Sequence, residues 1–176
     1  MQSVKVVVTG PFNAGKTTFI KAVSEITVLS TERQVSDVSG EGGGETTVAM
    51  DFGRITVSDD VVLYLFGTPG QSRFAFMWET LSEGMLGFVV LVDATEPSTF
   101  DDARDMIQFF TDMSDVPFVV AGNKLTADDT DTLKQVRSDL ELAETVPLLP
   151  VDAREKDSVK AVLLGLLYEI LESMGQ

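Results

Sequence analysis

Apolar runs and helical-period stripes alternate along this chain. Val4–Thr9 is a short β-branched run that reads as a buried strand. Gly15–Ile26 follows as a helix, with Phe19, Ile20, Val23 and Ile26 at helical spacing. From Thr27 to Thr46 the chain turns polar and glycine-rich, with Gly42, Gly43 and Gly44 near its end. Thr47–Val57 and Val61–Phe66 read as two strands joined by Ser58, Asp59 and Asp60, a hairpin-length turn. Ser72–Glu83 is helical by period, and Gly87–Val92 is an uninterrupted apolar strand. Pro97–Met113 is a helix with Pro97 at its start and Asp101 and Asp102 in its early turns, where the helix dipole favours acids. Val116–Ala121 is a buried strand, Thr130–Ala143 a helix, Pro147–Val151 a short strand and Asp157–Met174 a closing helix. Val159, Val162, Leu163, Leu166, Leu167, Ile170 and Leu171 line one face of that last helix. A membrane-surface helix would carry lysines beside the stripe; Glu169 and Glu172 stand there, so the stripe reads as core. Such alternation predicts a three-layer α/β domain with a mostly parallel sheet.

Composition narrows this picture. At 176 residues and 44% apolar, the chain buries one good core, and with no repeat or linker residues 1–176 are expected to form a single domain. Neither a run of eighteen apolar residues nor a charged-then-apolar leader is visible, so the expectation is a cytoplasmic protein without an integral membrane segment. Cysteine is absent, which excludes disulfides, thiolate metal sites and cysteine lipidation. Histidine is absent too, so no imidazole base is available. A formal charge of −15 repels nucleic acid and anionic membranes, and no nucleic-acid partner is expected.

The first chemical motif lies between the opening strand and the first helix. Gly10-Pro11-Phe12-Asn13-Ala14-Gly15-Lys16-Thr17 fits the phosphate-loop pattern GxxxxGK[ST]. Strand, glycine-bounded turn and helix start converge backbone N–H groups on one anionic pocket, which assigns Asn13, Ala14, Gly15, Lys16, Thr17 and Thr18 to phosphate binding. Lys16 would reach the β- and γ-phosphates, and the Thr17 hydroxyl would ligate Mg²⁺.

The second is Leu63-Tyr64-Leu65-Phe66-Gly67-Thr68-Pro69-Gly70-Gln71, a strand running into a glycine-proline turn with a glutamine. Behind a phosphate loop, this segment resembles that of the small Ras-like GTPases over nearly the whole chain. The resemblance implies that the Gly70 N–H meets the γ-phosphate and that Gln71 orients the attacking water. Thr46–Gly53, Phe66–Gln71 and Phe74–Trp78 are worded most like the prokaryotic MglA-like branch, whose members often associate with Roadblock-type proteins. That likeness implies a Ras-like P-loop NTPase fold of six strands, one of them antiparallel, GTP and GDP with Mg²⁺, slow hydrolysis and a switch role. It also implies a Roadblock-type regulatory or effector partner at the switches, with Phe74, Phe76 and Trp78 as candidate surface and part of that segment packing inward. Phe12 stands where Ras has glycine and leaves less room for an inserted arginine.

Within that resemblance, Thr47 is the candidate switch threonine for Mg²⁺, with Thr46 as the neighbouring alternative. Gly67 replaces an aspartate that holds Mg²⁺ through water in most Ras-like proteins; Asp51, on the preceding strand, is the candidate substitute. Asn123-Lys124-Leu125-Thr126 matches N-K-x-D except at its end. Thr126 accepts at most one bond from a guanine and carries no charge, and Asp128 and Asp129 stand close enough to substitute. Ala153 and Arg154 fall in a segment resembling S-A-K, whose alanine N–H contacts guanine O6. The expected function is a GTP-binding switch with slow water attack on the γ-phosphate, Gln71 and Lys16 being catalytic. The alternative is a degenerate nucleotide sensor that scarcely hydrolyses and reads the base loosely. A phosphate-loop kinase is disfavoured because the arginines are scattered singly.

Overall fold

A computed structural model of the chain describes residues 1–36 and 45–176, with the side chains of 29–49 and 72 outside the description. The sheet is built from β1 (Gln2–Thr9), β2 (Leu29–Ser36), β3 (Glu45–Ser58), β4 (Val61–Gly67), β5 (Gly87–Asp93), β6 (Phe118–Asn123) and β7 (Leu148–Val151). Its strand order is β2-β3-β4-β1-β5-β6-β7. Pairs β4–β1, β1–β5, β5–β6 and β6–β7 are parallel, while β3 is antiparallel to both β2 and β4. Therefore β3 alone runs against the rest, as expected. The sheet has seven strands where six were expected. The added strand, β2, falls in a stretch read as a polar loop: Leu29–Ser36 lacks an apolar alternation and joins the sheet by pairing with β3 at the edge. Gly42, Gly43 and Gly44 lie outside the described residues.

Five helices cover the faces: α1 (Lys16–Val23), α2 (Ala75–Ser82), α3 (Phe100–Met113), α4 (Thr130–Asp139) and α5 (Lys156–Met174). Alternation along the strands divides the core between them. Val6, Val8, Val89, Leu91, Val119 and Ala121 point to one face, where α1 and α5 pack through Phe19, Ile20, Val162 and Leu166. Val7, Phe88, Val90, Val92 and Val120 point to the other, against Trp78 of α2, Met106 and Phe110 of α3 and Val136 of α4. β5 is buried at every residue, which explains why it reads as continuous apolar sequence rather than alternation. On α5 the expected stripe holds except at Leu171, which is exposed because it rotates past the edge of the sheet-facing side together with Leu164 and Tyr168. Among the described residues, no helix is long and apolar enough to cross a membrane.

β1 lies where the strand order reverses, with β4 on one side and β5 on the other. In open α/β sheets the crevice beyond the carboxyl ends of the strands at such a point is where ligands bind. The phosphate loop leaves β1 at that crevice.

Candidate functional site

The loop from Gly10 to Lys16 wraps tightly between β1 and α1. The Thr68 N–H donates to Val8 O at 3.0 Å, tying the ends of β1 and β4 together, and the Ala14 N–H donates to Pro11 O at 3.1 Å inside the turn. Gly15, with φ 105°, caps α1 in the left-handed region, and a Cβ there would meet Asn123 Nδ2 at 2.6 Å. Lys16 folds back under the loop, donating from Nζ to Gly10 O at 2.5 Å and Pro11 O at 2.8 Å. Burial pulls the Lys16 ammonium down to about 8, with the Asp51 carboxylate opposing that shift. A desolvated cation at the N-terminus of a helix is chemically suited to a phosphate anion.

Facing Lys16 is the pair proposed for Mg²⁺. The Thr17 hydroxyl donates to Asp51 Oδ2 at 2.5 Å. Asp51 stands on β3 directly opposite Gly67 of β4, and a Cβ on Gly67 would meet Asp51 Cβ at 3.2 Å and Ile20 Cδ1 at 3.0 Å. A carboxylate from β3 thus stands across the ladder from Gly67, in space the glycine leaves open. A hydroxyl and a carboxylate oxygen in contact are a hard-oxygen donor set that suits Mg²⁺ with phosphate oxygens and water completing its shell. The backbone of Thr47 belongs to β3 and pairs with Gln34, but its side chain, like that of Thr46, lies outside the described residues.

Pro69-Gly70-Gln71 covers the loop from the β4 side. A Cβ on Gly70 would lie 2.5 Å from Phe12 N and 2.8 Å from Lys16 Nζ, so only glycine allows this approach. Gln71 does not stand alone: its Oε1 accepts from Arg73 Nε at 2.8 Å, and the Arg73 guanidinium stacks 4.7 Å over Phe74. Of the three aromatics assigned to a partner surface, Phe74 and Trp78 are buried at 8% and 4% exposure and only Phe76 faces out, at 46%. The correction has a physical cause. Trp78 donates from Nε1 to Pro69 O at 2.9 Å and packs against Phe109 and Phe110, so its ring anchors the segment from within. Phe12, at the loop tip, is exposed at 59%.

The segments assigned to the base gather on the other flank of the loop. Asn123, buried at the end of β6, donates from Nδ2 to Ala14 O at 3.0 Å, and its Oδ1 accepts from Lys124 N at 2.9 Å and Ala153 N at 3.0 Å. One amide therefore staples the phosphate loop, the β6 terminus and the segment after β7. Arg154 forms a forked pair with Asp152 instead of standing free. Lys124, with φ 68°, pairs its ammonium with Asp93 Oδ2 at 2.8 Å. Burial pushes the Asp93 carboxyl up, but bonds from Lys124 and Thr95 outweigh it and leave the pKa below the ordinary aspartate value. Asp93 and Arg73 were missed from sequence. For Asp93 a signal existed: one acid terminates a fully apolar strand. For Arg73 there was none, because a lone arginine after a turn is ordinary.

Two of the cavities along the loop take in these residues. One of about 560 Å³ is lined by the phosphate loop, Asp51, Gly70, Gln71 and Arg73. The other, of about 600 Å³, is lined by Asn123, Lys124, Thr126, Asp152, Ala153 and Arg154. Asn13, Gly15 and Thr18 border both, so the cavities adjoin along the loop. Every phosphate and base residue named from the sequence borders one of them, apart from Ala14 and the two candidate substitutes Asp128 and Asp129. Ala14 is buried beneath.

A family model described as "Conserved hypothetical ATP binding protein" matches residues 28–173. That match begins after the phosphate loop, so loop and family are two separate lines of support. An uncharacterized protein, MJ1339 of Methanocaldococcus jannaschii, is 33% identical over 129 residues, covering 73% of this chain and 75% of that protein. The Ras-related protein Rab-8B of Homo sapiens is 23% identical over 137 residues, 74% of this chain and 66% of its own length. The Ras-related protein SEC4 of Candida albicans is 25% identical over 133 residues, 72% and 63%. The chain thus spans just under two thirds of the length of these Ras-related relatives.

Proposed function

The chain belongs to the family described as conserved hypothetical ATP binding protein, and from that premise we propose that it is a guanine-nucleotide-binding switch that hydrolyses GTP slowly. The observation that carries the reading is the adjoining pair of cavities, one lined by the residues expected to meet phosphates and one by those expected to meet a base, bordered in common by Asn13, Gly15 and Thr18. The Rab-8B and SEC4 relatives, named as Ras-related, support guanine over adenine and support the Ras-like assignment. The wording of residues 46–53 and 66–78 supports the narrower MglA-like assignment and, with it, a Roadblock-type partner at the switches, to which this structure contributes exposed Phe76 and Phe12.

In the proposed reaction a water oxygen attacks the γ-phosphorus, the bond to the β-phosphate oxygen breaks, and GDP and inorganic phosphate leave. Lys16 and the loop N–H groups stabilise charge on the β- and γ-phosphates, and the Gly70 N–H faces the γ-phosphate from the other side. Gln71 orients the water once released from Arg73, since its carbonyl oxygen accepts from that guanidinium here. Thr17 and Asp51 would hold Mg²⁺, which neutralises developing phosphate charge when bound. The whole of residues 1–176 acts as one G domain in this reading.

A second reading is favoured by the same Gln71–Arg73 bond: a sensor that binds nucleotide and scarcely turns it over, its glutamine held away from water. Single-turnover hydrolysis of bound GTP separates the two. As a switch, the wild type hydrolyses measurably and Gln71→Ala lowers the rate by about 10²-fold or more. Equal trace rates in both would leave the sensor.

A further inference from the structure

We infer that Asp129 sets the base preference of this site by locking the Thr126 hydroxyl as a hydrogen-bond acceptor, which selects guanine over adenine; the inference rests on the nucleotide-binding reading above. Thr126 borders the base cavity. Its Oγ1 lies 3.2 Å from Asp129 Oδ2, and an ionised carboxylate only accepts, so the hydroxyl proton points to Asp129. The same Oδ2 accepts the Thr126 N–H at 2.7 Å, which fixes the carboxylate in place. Asp128 N–H donates to Thr126 Oγ1 at 3.3 Å. A hydroxyl oxygen has two acceptor positions, so one remains for a ligand and no proton does.

The neighbouring polar groups are engaged with one another. Asn123 bonds Ala14, Lys124 and Ala153; Lys124 pairs with Asp93; Arg154 pairs with Asp152. The Ala153 N–H, the donor expected to read guanine O6, is directed at Asn123 Oδ1. Discrimination therefore shifts to Thr126. At ring positions 1 and 2 guanine presents N1–H and an amino group, both donors, where adenine presents a bare N1 lone pair and a C–H; adenine's own amino group sits at position 6, where guanine has its O6 acceptor. A locked acceptor set against positions 1 and 2 pairs with the first and faces another acceptor in the second, so adenine gains no hydrogen bond there. Asp129 itself does not border the cavity, so it acts as a positioning residue through Thr126.

The test is calorimetric titration of the full chain, in Mg²⁺, with GDP and with ADP, for wild type, Thr126→Val, Asp129→Ala and the double variant. Wild type is expected to prefer GDP by about tenfold or more. Thr126→Val weakens GDP by about tenfold and changes ADP little. Asp129→Ala narrows the preference by a similar factor, about tenfold, because the freed hydroxyl can donate to adenine N1. In the valine background Asp129→Ala leaves the GDP-to-ADP ratio unmoved, which a merely structural aspartate would not produce. Equal wild-type affinities for the two nucleotides, or an Asp129→Ala variant that weakens both alike, would overturn the inference and leave nucleotide binding standing. Should Asp129→Ala fail to fold, Thr126→Val decides alone, and an unchanged ratio overturns the proposal. Binding of neither nucleotide overturns this inference and the functional reading together.

Discussion

Lys16 shows how much a single residue's setting adds to its identity. A lysine in a phosphate loop is expected to be a fixed positive charge, yet burial holds this one near 8, against 10.5 for an ordinary lysine. Phosphate binding favours the ammonium. GDP affinity is therefore expected to be at full strength below about pH 8 and to fall as pH rises through that value, with a proton taken up on binding above it. The unfolded chain holds this proton more tightly than the folded one. Its effect on stability thus has the opposite sign, growing as pH rises from about 8 towards 10.5. Titrations at pH 9 in buffers of different ionisation enthalpy would measure the uptake; no buffer dependence would contradict the shift. Other residue-level roles were readable only in part. The glycines, Lys16 and Thr17 of the loop follow from their motif, whereas the Gln71–Arg73 and Thr126–Asp129 bonds depend on rotamers that no spacing encodes.

Among the elements, the exchange between β3 and β4 is the clearest example of two strands sharing one task. Gly67 looked like a lost metal ligand when β4 was read alone. Register brings a carboxylate back to the position: an antiparallel neighbour puts Asp51 opposite Gly67, in hydrogen-bond contact with Thr17. Asp51→Ala is expected to weaken GDP binding in Mg²⁺ by about tenfold or more while leaving binding in EDTA nearly unchanged. Equal affinities in Mg²⁺ would remove Asp51 from the metal. Strong elements were legible because burial on both faces writes itself as apolar sequence, as in β5 and the α5 stripe. β2 was not, since an edge strand such as Leu29–Ser36 is specified by the partner it pairs with more than by its own residues. The aromatic turn of α2 misled for a related reason: apolarity on every face of one turn does not reveal which ring goes inward, and Trp78 does so through its bond to Pro69.

At the scale of the whole molecule, a charge of −15 on 176 residues sets a background of self-repulsion that every local contact works against. Raising salt from about 0.05 M to 1 M shortens the screening length to roughly 3 Å and is expected to raise the melting temperature. A flat or falling melting curve would show that the acidic surface carries little strain. The three-layer α/β architecture and the place of the phosphate loop at its switch point were legible at this scale, because alternation of elements dictates them. Finally, the chain contains one tryptophan, and its indole N–H is bonded to the carbonyl of Pro69, the residue before Gly70 and Gln71. A rearrangement of that turn around a terminal phosphate that moved Pro69 would break or re-aim the bond and so change the emission of the one indole present. Under the proposed function the molecule would carry its own optical gauge, through which nucleotide loading could be followed in real time without a label.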